Sequence, residues 1–361
     1  MSRPTHAEID IPAFIHNYRY AKSLAPQAHA VAVVKANAYG HGAVPLSRAL
    51  AGEADAFGVA CLEEALELRD SGIDNDIVLL EGVFEPDELA EVDRRRLIQV
   101  VHSPHQLQWL LKSRPAHRYR VWLKFDSGMH RLGFGPKGFG QAQVALQSCG
   151  LVKEIVPMTH FACADEPSNP RTSEQLAAFR HAAGGFAQTV SLANSAAMLA
   201  WPETRRGWTR PGIMLYGASP LDTALPAGDA LRPVMQLQSS LIAVRELQAG
   251  QPVGYGGRFV CDRPMRIGVV AIGYGDGYPR HAIDGTPVAI DGVRSRLVGR
   301  VSMDMLTVDL GPVPDAGPGS RVELWGRQVA ANEVAQHADT IAYTLFTGIT
   351  RRVPLSYREH A

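Results

Sequence analysis

The chain has 361 residues, of which 46% are hydrophobic and 20% charged, a composition typical of a globular protein with a large buried core. Lysine plus arginine and aspartate plus glutamate both number 36, so no net charge favours nucleic acid or an anionic membrane as a partner. We therefore expect a small substrate that is close to neutral.

The N-terminal residues, the longest apolar segments and the cysteine spacing indicate where the protein is found in the cell. The N-terminus MSRPTHAEID has no apolar stretch like that of a signal peptide, and no segment reaches the ~20 apolar residues of a membrane helix. We expect a cytoplasmic protein that does not bind membranes. The four cysteines form no CxxC pair, which favours buried reduced thiols over a disulfide framework or a metal site.

Short β-branched runs alternate with helical patterns between about residues 30 and 215, which predicts parallel strands joined by crossover helices. One such helix is CLEEALELRDSG, with an apolar stripe and Gly72 as its stop. Eight units of this spacing favour a closed (β/α)8 TIM-like barrel, with an open doubly wound sheet as the alternative. The candidate strands are Val31–Lys35, Ala56–Ala60, Ile77–Leu80, Leu97–Val101, Arg120–Lys124, Ile155–His160, Val190–Ala193 and Gly207–Arg210.

The pattern changes after Pro220, where LDTALPAGDALRP resembles a loop and the following runs are rich in Val, Ile and Leu. Among them are MQLQSSLIAVRELQ, RIGVVAIG and SRLVGRVSMDMLTVDL. We predict a barrel over residues 10–228 and a mainly β domain over 229–361, with residues 1–9 as a candidate additional strand of the second domain.

Unusual polar residues fall at the ends of the predicted strands, where an active barrel concentrates its functional groups. Lys35, His160 and Arg210 end the first, sixth and eighth strands, and Asn194 and Ser195 follow the seventh. A lysine that closes an apolar strand is costly to bury unless it is paired or used chemically. A structural ion pair remains the alternative for a lysine at such a position.

The loops after the seventh and eighth strands read ANSAAM and RPGIMLYG, at the place where barrels often bind phosphate. Ser195 offers a hydroxyl, and Gly212 and Ile213 offer backbone N–H groups at a helix start. A plain helix cap is the alternative interpretation of either loop by itself.

Nine motifs along the chain resemble, in order, the motif set of the alanine racemases. They are VVKANAYGHG, DSGMHRLGF, THFACAD, NSA, RPGIMLYG, VGYGG, IGYGDGY, GRVSMDM and RRVPLSY. The resemblance implies an isomerase that uses pyridoxal phosphate (PLP) to interconvert L- and D-alanine, built as a homodimer whose subunits share their active sites.

The resemblance also implies a role for each matching residue. Lys35 would hold the cofactor, His160 would lie beside its ring and Arg210 would donate to its pyridine nitrogen. An arginine there leaves that nitrogen unprotonated, which suits a racemase. The residues implied around the phosphate and the cofactor are Tyr39, Asn194, Ser195, Gly212, Ile213 and Tyr343.

Racemisation needs an acid and a base on opposite faces of the substrate, and the resemblance implies Lys35 and Tyr255. A free tyrosine has a pKa near 10, so Tyr255 would need a cationic or hydrogen-bonded neighbour, for which His160 coupled to Arg210 is the candidate. The implied substrate contacts are Arg131, Met303 with the adjacent Asp304, and Tyr274, which narrows the entrance. Lys124 matches a lysine that is often carbamylated in this family.

Two positions depart from the family pattern, because Thr344 and Thr347 stand where glutamate and cysteine are common. We expect these changes to affect the entry region rather than the chemistry. Three alternatives remain: a broad-specificity racemase, a PLP-dependent decarboxylase, which would use an acidic group where Arg210 stands, and a non-enzymatic PLP carrier, which would lack the second domain.

Overall fold

The barrel dominates the first two thirds of the computed structural model, which describes residues 3–184, 189–222 and 226–359. The chain begins with strand β1 (His6–Asp10) and helix α1 (Ile11–Leu24). Eight parallel strands then close on themselves, which confirms the predicted barrel over the open sheet. The barrel strands are β2 (His29–Val33), β3 (Ala56–Val59), β4 (Asp76–Leu79), β5 (Ile98–Val101), β6 (Tyr119–Lys124), β7 (Val152–Met158), β8 (Ser191–Asn194) and β9 (Trp208–Arg210).

Helices connect successive barrel strands. They are α2 (Lys35–Gly40), α3 (Ala43–Leu50), α4 (Leu62–Asp70), α5 (Glu88–Arg94), α6 (Pro104–Lys112), α7 (Pro136–Ser148), α8 (Arg171–Ala182) and α9 (Ser195–Ala200), followed by the short α10 (Pro226–Asp229). Three-residue and four-residue 3-10 helices lie at Pro202–Thr204 and Ile213–Tyr216. Helix α4 matches its prediction: Leu62, Ala65 and Leu68 are buried, and Gly72 has a φ of 85° just beyond its end.

Four of the predicted strands end earlier than expected, two of them (β3 and β4) by one residue and two (β2 and β7) by two residues. The pairing of β2 with β3 stops at Val33, so Lys35 lies two residues beyond the strand. His160 likewise lies two residues beyond the end of β7. Apolar sequence continues past the end of β2 with Val34, whereas β7 is followed directly by Thr159. In both places the chain has already entered the loop at the mouth of the barrel.

The second part of the chain is mainly β, as predicted. Its strands are β10 (Met235–Leu247), β11 (Pro252–Val253), β12 (Phe259–Val260), β13 (Met265–Val270), β14 (Pro287–Ile290), β15 (Val293–Arg296), β16 (Leu306–Asp309), β17 (Arg321–Trp325) and β18 (Leu355–Arg358). Strand β1 joins this sheet between β10 and β18. The run 295–310 is strand only at its ends, because residues 297–305 form a loop between β15 and β16.

Two helices of the second part place side chains near the barrel mouth. Helices α11 (Ala331–His337) and α12 (Ala342–Thr347) follow β17, and α12 packs against α2. The rings of Tyr39 and Tyr343 consequently lie 5.7 Å apart between centroids. None of the helices in the described parts of the chain combines the length and apolar character that a membrane-spanning helix requires.

The four cysteines are free thiols, as predicted. Only Cys261 is buried, whereas Cys61, Cys149 and Cys163 are half-buried. The burial expected of all four therefore holds for one.

Candidate active site

A cavity of about 600 Å³ opens at the carboxyl ends of the barrel strands. It collects all of the predicted barrel residues and two residues of α12, Tyr343 and Thr347. The predicted residues that line it are Lys35, Tyr39, Lys124, Arg131, His160, Asn194, Ser195, Arg210, Gly212, Ile213 and Tyr343. Side chains separated by up to 308 positions in sequence thus meet in one place because parallel strands end at the same rim.

The cavity wall after β2 is a strained turn of backbone. Ala36–Tyr39 all have φ between 50° and 53°, a left-handed conformation that costs roughly 1–2 kcal/mol per non-glycine residue. The carboxylate of Glu64 stabilises its start, because it accepts the N–H of Ala36 and the N–H of Ala60, each at 2.7 Å. The turn lies directly after Lys35, so its geometry decides where that side chain enters the cavity.

Neutral donors surround one end of the cavity. Ser195 Oγ lies 2.8 Å from the N–H of Gly212, and the N–H of Ile213 has no backbone acceptor within the described ranges. A Cβ at position 212 would lie 2.8 Å from Tyr39 Oη, so glycine allows this hydroxyl to approach the loop closely. Burial raises the pKa of Tyr39 and that of Tyr343, which keeps both phenols protonated as donors.

Arg210 lies at the opposite end and is held by oxygen acceptors. Its Nη1 donates to Ser191 Oγ at 2.5 Å, and its Nη2 donates to the carbonyl oxygens of Thr159 at 2.7 Å and Leu192 at 3.1 Å. Burial lowers the pKa of Arg210 to about 10, so the guanidinium stays charged at neutral pH. Nε is left without a partner among the described side chains and carbonyls.

His160 is coupled to this arginine. Arg210 Nη2 lies 3.4 Å from His160 Nδ1, and burial together with the positive charge of Arg210 lowers the pKa of His160 well below its usual range. A neutral imidazole that accepts at Nδ1 must carry its hydrogen on Nε2. His160 is therefore poised to donate from Nε2.

Lys124 and Arg131 form a positively charged side of the cavity. Lys124 is buried, and no hydrogen bond or ion pair joins its Nζ to the described part of the chain. Burial, with repulsion from Arg210 and Arg131, lowers the pKa of Lys124 to about 8. The carboxylate of Glu81, which also lines the cavity, opposes this shift only in part, so three cations including Lys35 still disfavour a charged Lys124.

Two further lining residues act on the local backbone. Asn194 caps helix α9, because its Oδ1 accepts the N–H of Ala197 at 3.0 Å. Thr347, one of the two departures from the family pattern, donates its hydroxyl to the carbonyl oxygen of Tyr343 at 2.7 Å. Both threonines are exposed, but of the two only Thr347 lines the described cavity.

The predicted residues of the second domain lie elsewhere. Tyr255 follows β11 in a 3-10 helix and is 68% exposed, and Met303 is 52% exposed. Asp304 is also exposed and forms an ion pair with Arg352. These residues and the half-buried Tyr274 are absent from the described lining of the cavity in their own chain.

Sequence analysis missed three residues that hold the loops carrying the candidate site residues: Glu64, Arg3 and Arg352. Glu64 looks like an ordinary acidic residue in the first turn of α4, and nothing in its spacing indicates two backbone partners on other segments. The two arginines contact Asp276, which lies 273 positions from Arg3 and 76 positions from Arg352. Their partner could only have been found from the fold.

Comparisons with known proteins agree with the resemblance. The N-terminal domain model of the alanine racemase family matches residues 9–220, and the C-terminal domain model matches residues 234–357. A curated alanine racemase of Pseudomonas fluorescens is 56% identical over 99% of both chains. A catabolic alanine racemase of Pseudomonas aeruginosa is 54% identical over 98% of this chain and 99% of its own.

Solved structures give the same result. The biosynthetic alanine racemase of P. aeruginosa superposes with a TM-score of 0.96 at 47% identity, covering 99% of this chain and 100% of its own. The alanine racemase of Acinetobacter baumannii has a TM-score of 0.94 at 39% identity over the same shares. The chain therefore belongs to the alanine racemase family of PLP-dependent isomerases.

Proposed function

We propose that this protein interconverts L- and D-alanine with pyridoxal phosphate held on Lys35, and that Lys35 and Tyr255 exchange the α-proton. The observation that carries the proposal is the barrel cavity, in which a lysine, a set of neutral phosphate donors and a charged arginine face one space. When bound, the cofactor delocalises the negative charge left by loss of the α-hydrogen.

The donors at one end of the cavity fit a phosphate group. Tyr39, Ser195 and Tyr343 offer hydroxyls, and Ile213 offers its N–H at the start of a short helix. The Gly212 N–H donates to Ser195 Oγ, which leaves the hydrogen of that hydroxyl for the phosphate. The close approach of the Tyr39 hydroxyl to Gly212 leaves no room for a side chain at that position. Asn194 supports this cradle by capping the neighbouring helix.

Arg210 fits the pyridine nitrogen, to which it would donate from Nε. With a pKa of about 10, the Arg210 guanidinium stays protonated at neutral pH and would not transfer a proton to the pyridine nitrogen. Negative charge then stays nearer the α-carbon, which favours rapid return of a proton and suppresses transamination. A decarboxylase of this fold is expected to place an acid here, so Arg210 argues against that alternative.

The two bases must act on opposite faces of the substrate. Lys35 would serve one face, and Tyr255 would serve the other from the partner subunit of a two-fold homodimer, since the Tyr255 side chain is exposed and does not line the described cavity of its own chain. His160, with its hydrogen on Nε2, would donate to the phenolate oxygen and so stabilise Tyr255 as a base.

Arg131 would bind the substrate carboxylate, together with the backbone at Met303 of the partner subunit's second domain. We propose that Lys124 is carbamylated: its neutral amine attacks carbon dioxide, a C–N bond forms, and one proton leaves to solvent. The product is an anion that neutralises the surrounding cations and orients Arg131. Tyr274 would narrow the entrance so that small side chains are preferred.

We propose a cytoplasmic location, because it is consistent with the bacterial alanine racemases to which the chain is similar. The relatives include one called catabolic and one called biosynthetic, and both D-alanine supply for peptidoglycan and D-alanine breakdown use the same reaction.

The test is to measure racemisation of alanine, serine, lysine and arginine with one purified sample, and then to map the lysine that borohydride attaches to the cofactor. We expect alanine to be the best substrate and the label to be on Lys35. Equal rates for all four would support a broad-specificity racemase, no turnover would support a carrier, and a label on Lys124 would overturn the assignment.

A further inference from the structure

Two loops of the second domain are joined by backbone hydrogen bonds. We call residues 273–277 and 302–305 the entrance loops, since they include Tyr274 and Met303. The N–H of Tyr274 donates to the carbonyl oxygen of Ser302 at 3.0 Å, and the N–H of Gly275 donates to that of Met303 at 2.8 Å. Any shift of one entrance loop therefore moves the other.

Asp276 is the buried charge beneath these loops. Its side chain is fully buried, and its carboxylate accepts the N–H of Gly273 at 3.0 Å, which closes the turn that presents Tyr274. Arg3 makes a two-pronged ion pair with both of its oxygens, one of them at 2.7 Å from Nη2. Arg352 adds a third cationic contact at 3.2 Å from its Nε.

The same two arginines reach the other entrance loop. Arg352 Nη2 lies 2.6 Å from Asp304 Oδ1, and Arg3 Nη2 donates to the carbonyl oxygen of Asp304 at 3.1 Å. A Cβ at Gly275 would lie 2.4 Å from Arg352 Nη1, so the guanidinium packs directly on the loop backbone. Two arginines and two aspartates thus form a neutral network that spans both loops.

Such a network is a poor choice for stability alone, because apolar residues of similar volume often stabilise a protein as well as a buried ion pair does. What a bridged set of charges provides is a fixed geometry. The arginines come from the N-terminal segment and from the segment before β18, so two distant parts of the chain converge on one pair of loops.

We propose that Arg3 and Arg352 are positioning residues that set the distance between Tyr274 and the Met303 backbone, and through it the preference for alanine over larger amino acids. This inference rests on the proposed function, in which both loops contact the substrate. The N-terminal segment then contributes to substrate selection as well as to the sheet.

The test compares Arg352→Gln, Arg352→Lys and Arg3→Gln in the full-length holoenzyme. Misplacing a substrate contact can cost up to roughly 100-fold, and for Arg352→Gln we expect about a 10-fold higher KM for alanine with a smaller change in kcat. The kcat/KM preference for alanine over serine should fall in parallel. Arg352→Lys keeps the charge but lacks the fork that spans two carboxylates, so it should recover part of the preference.

Arg294→Gln is the matched control, because Arg294 pairs with Glu333 in the same domain and contacts neither entrance loop. Its KM and substrate preference should equal those of wild type. If Arg3→Gln and Arg352→Lys lower the melting temperature but leave both quantities at the control values, the network is structural only and the inference is wrong. Arg3→Gln and Arg352→Lys are therefore enough to test the positioning role even if Arg352→Gln does not fold. Wild-type protein that failed to racemise alanine would instead overturn the proposed function.

Discussion

The candidate functional side chains at the barrel mouth are held by protein partners, whereas those on the β domain are largely exposed. At the barrel mouth, Arg210 and Ser195 already have protein partners that fix their directions. On the β domain, Tyr255 and Met303 are more than half exposed, although an entrance loop holds the latter in place. Under the proposed function, the barrel mouth and these exposed residues are two halves of one site, and Tyr255 and Met303 are absent from the described lining of their own chain's cavity.

This difference has a physical consequence. A large exposed aromatic ring and an exposed methionine cost little in a monomer but gain contact area in an interface. Further exposed apolar residues lie in the same part of the chain, including Val260, Met305 and Ile341. The predictions below ask whether assembly completes the site and how far the barrel half is prearranged.

The largest expected effect comes from separating the two bases. Lys35→Ala and Tyr255→Phe should each be nearly inactive, because each removes one proton-transfer group. If the variants are unfolded together in equal amounts and refolded, about half of the dimers should be mixed, with one site that keeps both native residues. About a quarter of wild-type activity should return, measured as D-alanine formed per milligram.

Each variant refolded separately provides the background rate. Activity that stays at this background, despite mixed dimers demonstrated by two distinguishable affinity tags, would show that both bases act within one subunit. The barrel cavity and the β-domain face would then have to meet by motion within the chain.

The next largest effect concerns Arg210. Arg210→Glu should slow racemisation by roughly 100-fold, since a preorganised charge at the reacting system is lost. With alanine added, a long-wavelength absorbance should accumulate, because an acid at this position makes the cofactor ring a stronger electron sink.

Glutamate cannot donate to the carbonyl oxygens of Thr159 and Leu192, so Arg210→Gln, which keeps amide donors, is the control for local misfolding. If Arg210→Glu binds the cofactor but shows neither the new band nor a loss of activity, the proposed electronic role of Arg210 is wrong.

A smaller effect should follow from changing Glu64. Glu64→Gln retains one acceptor oxygen, so either Ala36 or Ala60 loses its partner, at a cost of about 1.5–3 kcal/mol for a bond to a charged group. The left-handed turn should relax and kcat should fall roughly 10-fold as Lys35 is displaced. Glu63→Gln, an exposed neighbour in the same helical turn, should behave as wild type in the same assay.

An unchanged kcat in Glu64→Gln would mean that the turn is held by its own packing. His41 offers such support, because it is buried and its Nδ1 lies 2.8 Å from the carbonyl oxygen of Tyr39.

The sequence could predict the barrel because hydrophobic runs and crossover helices are local signals, and all eight strands were found at nearly the right positions. The strand ends were less certain, as Lys35 illustrates, because a left-handed turn of ordinary residues has no local signal. Tyr255 is a candidate only through the resemblance to a known family, whereas the contacts of Arg3 with Asp276 depend on how the N-terminal strand enters the sheet.

The smallest expected effect concerns Lys124, whose environment is the least balanced part of the barrel cavity. Carbamate forms only on the neutral amine, so with a pKa of about 8 the modification should increase as pH rises toward and past 8 and decline at lower pH. Protein equilibrated with 13C-bicarbonate should show a carbamate carbon resonance that Lys124→Met lacks. Lys124→Met should also raise the KM for alanine several-fold, because Arg131 would lose the anion that orients it. The control is Lys153→Met, which changes an exposed lysine near the start of β7 and should keep both the resonance and the KM. A resonance that persists in Lys124→Met would place the carbamate on another amine, and an unmodified Lys124 at high pH with full activity would mean that the cations of the barrel mouth are balanced by substrate and cofactor alone.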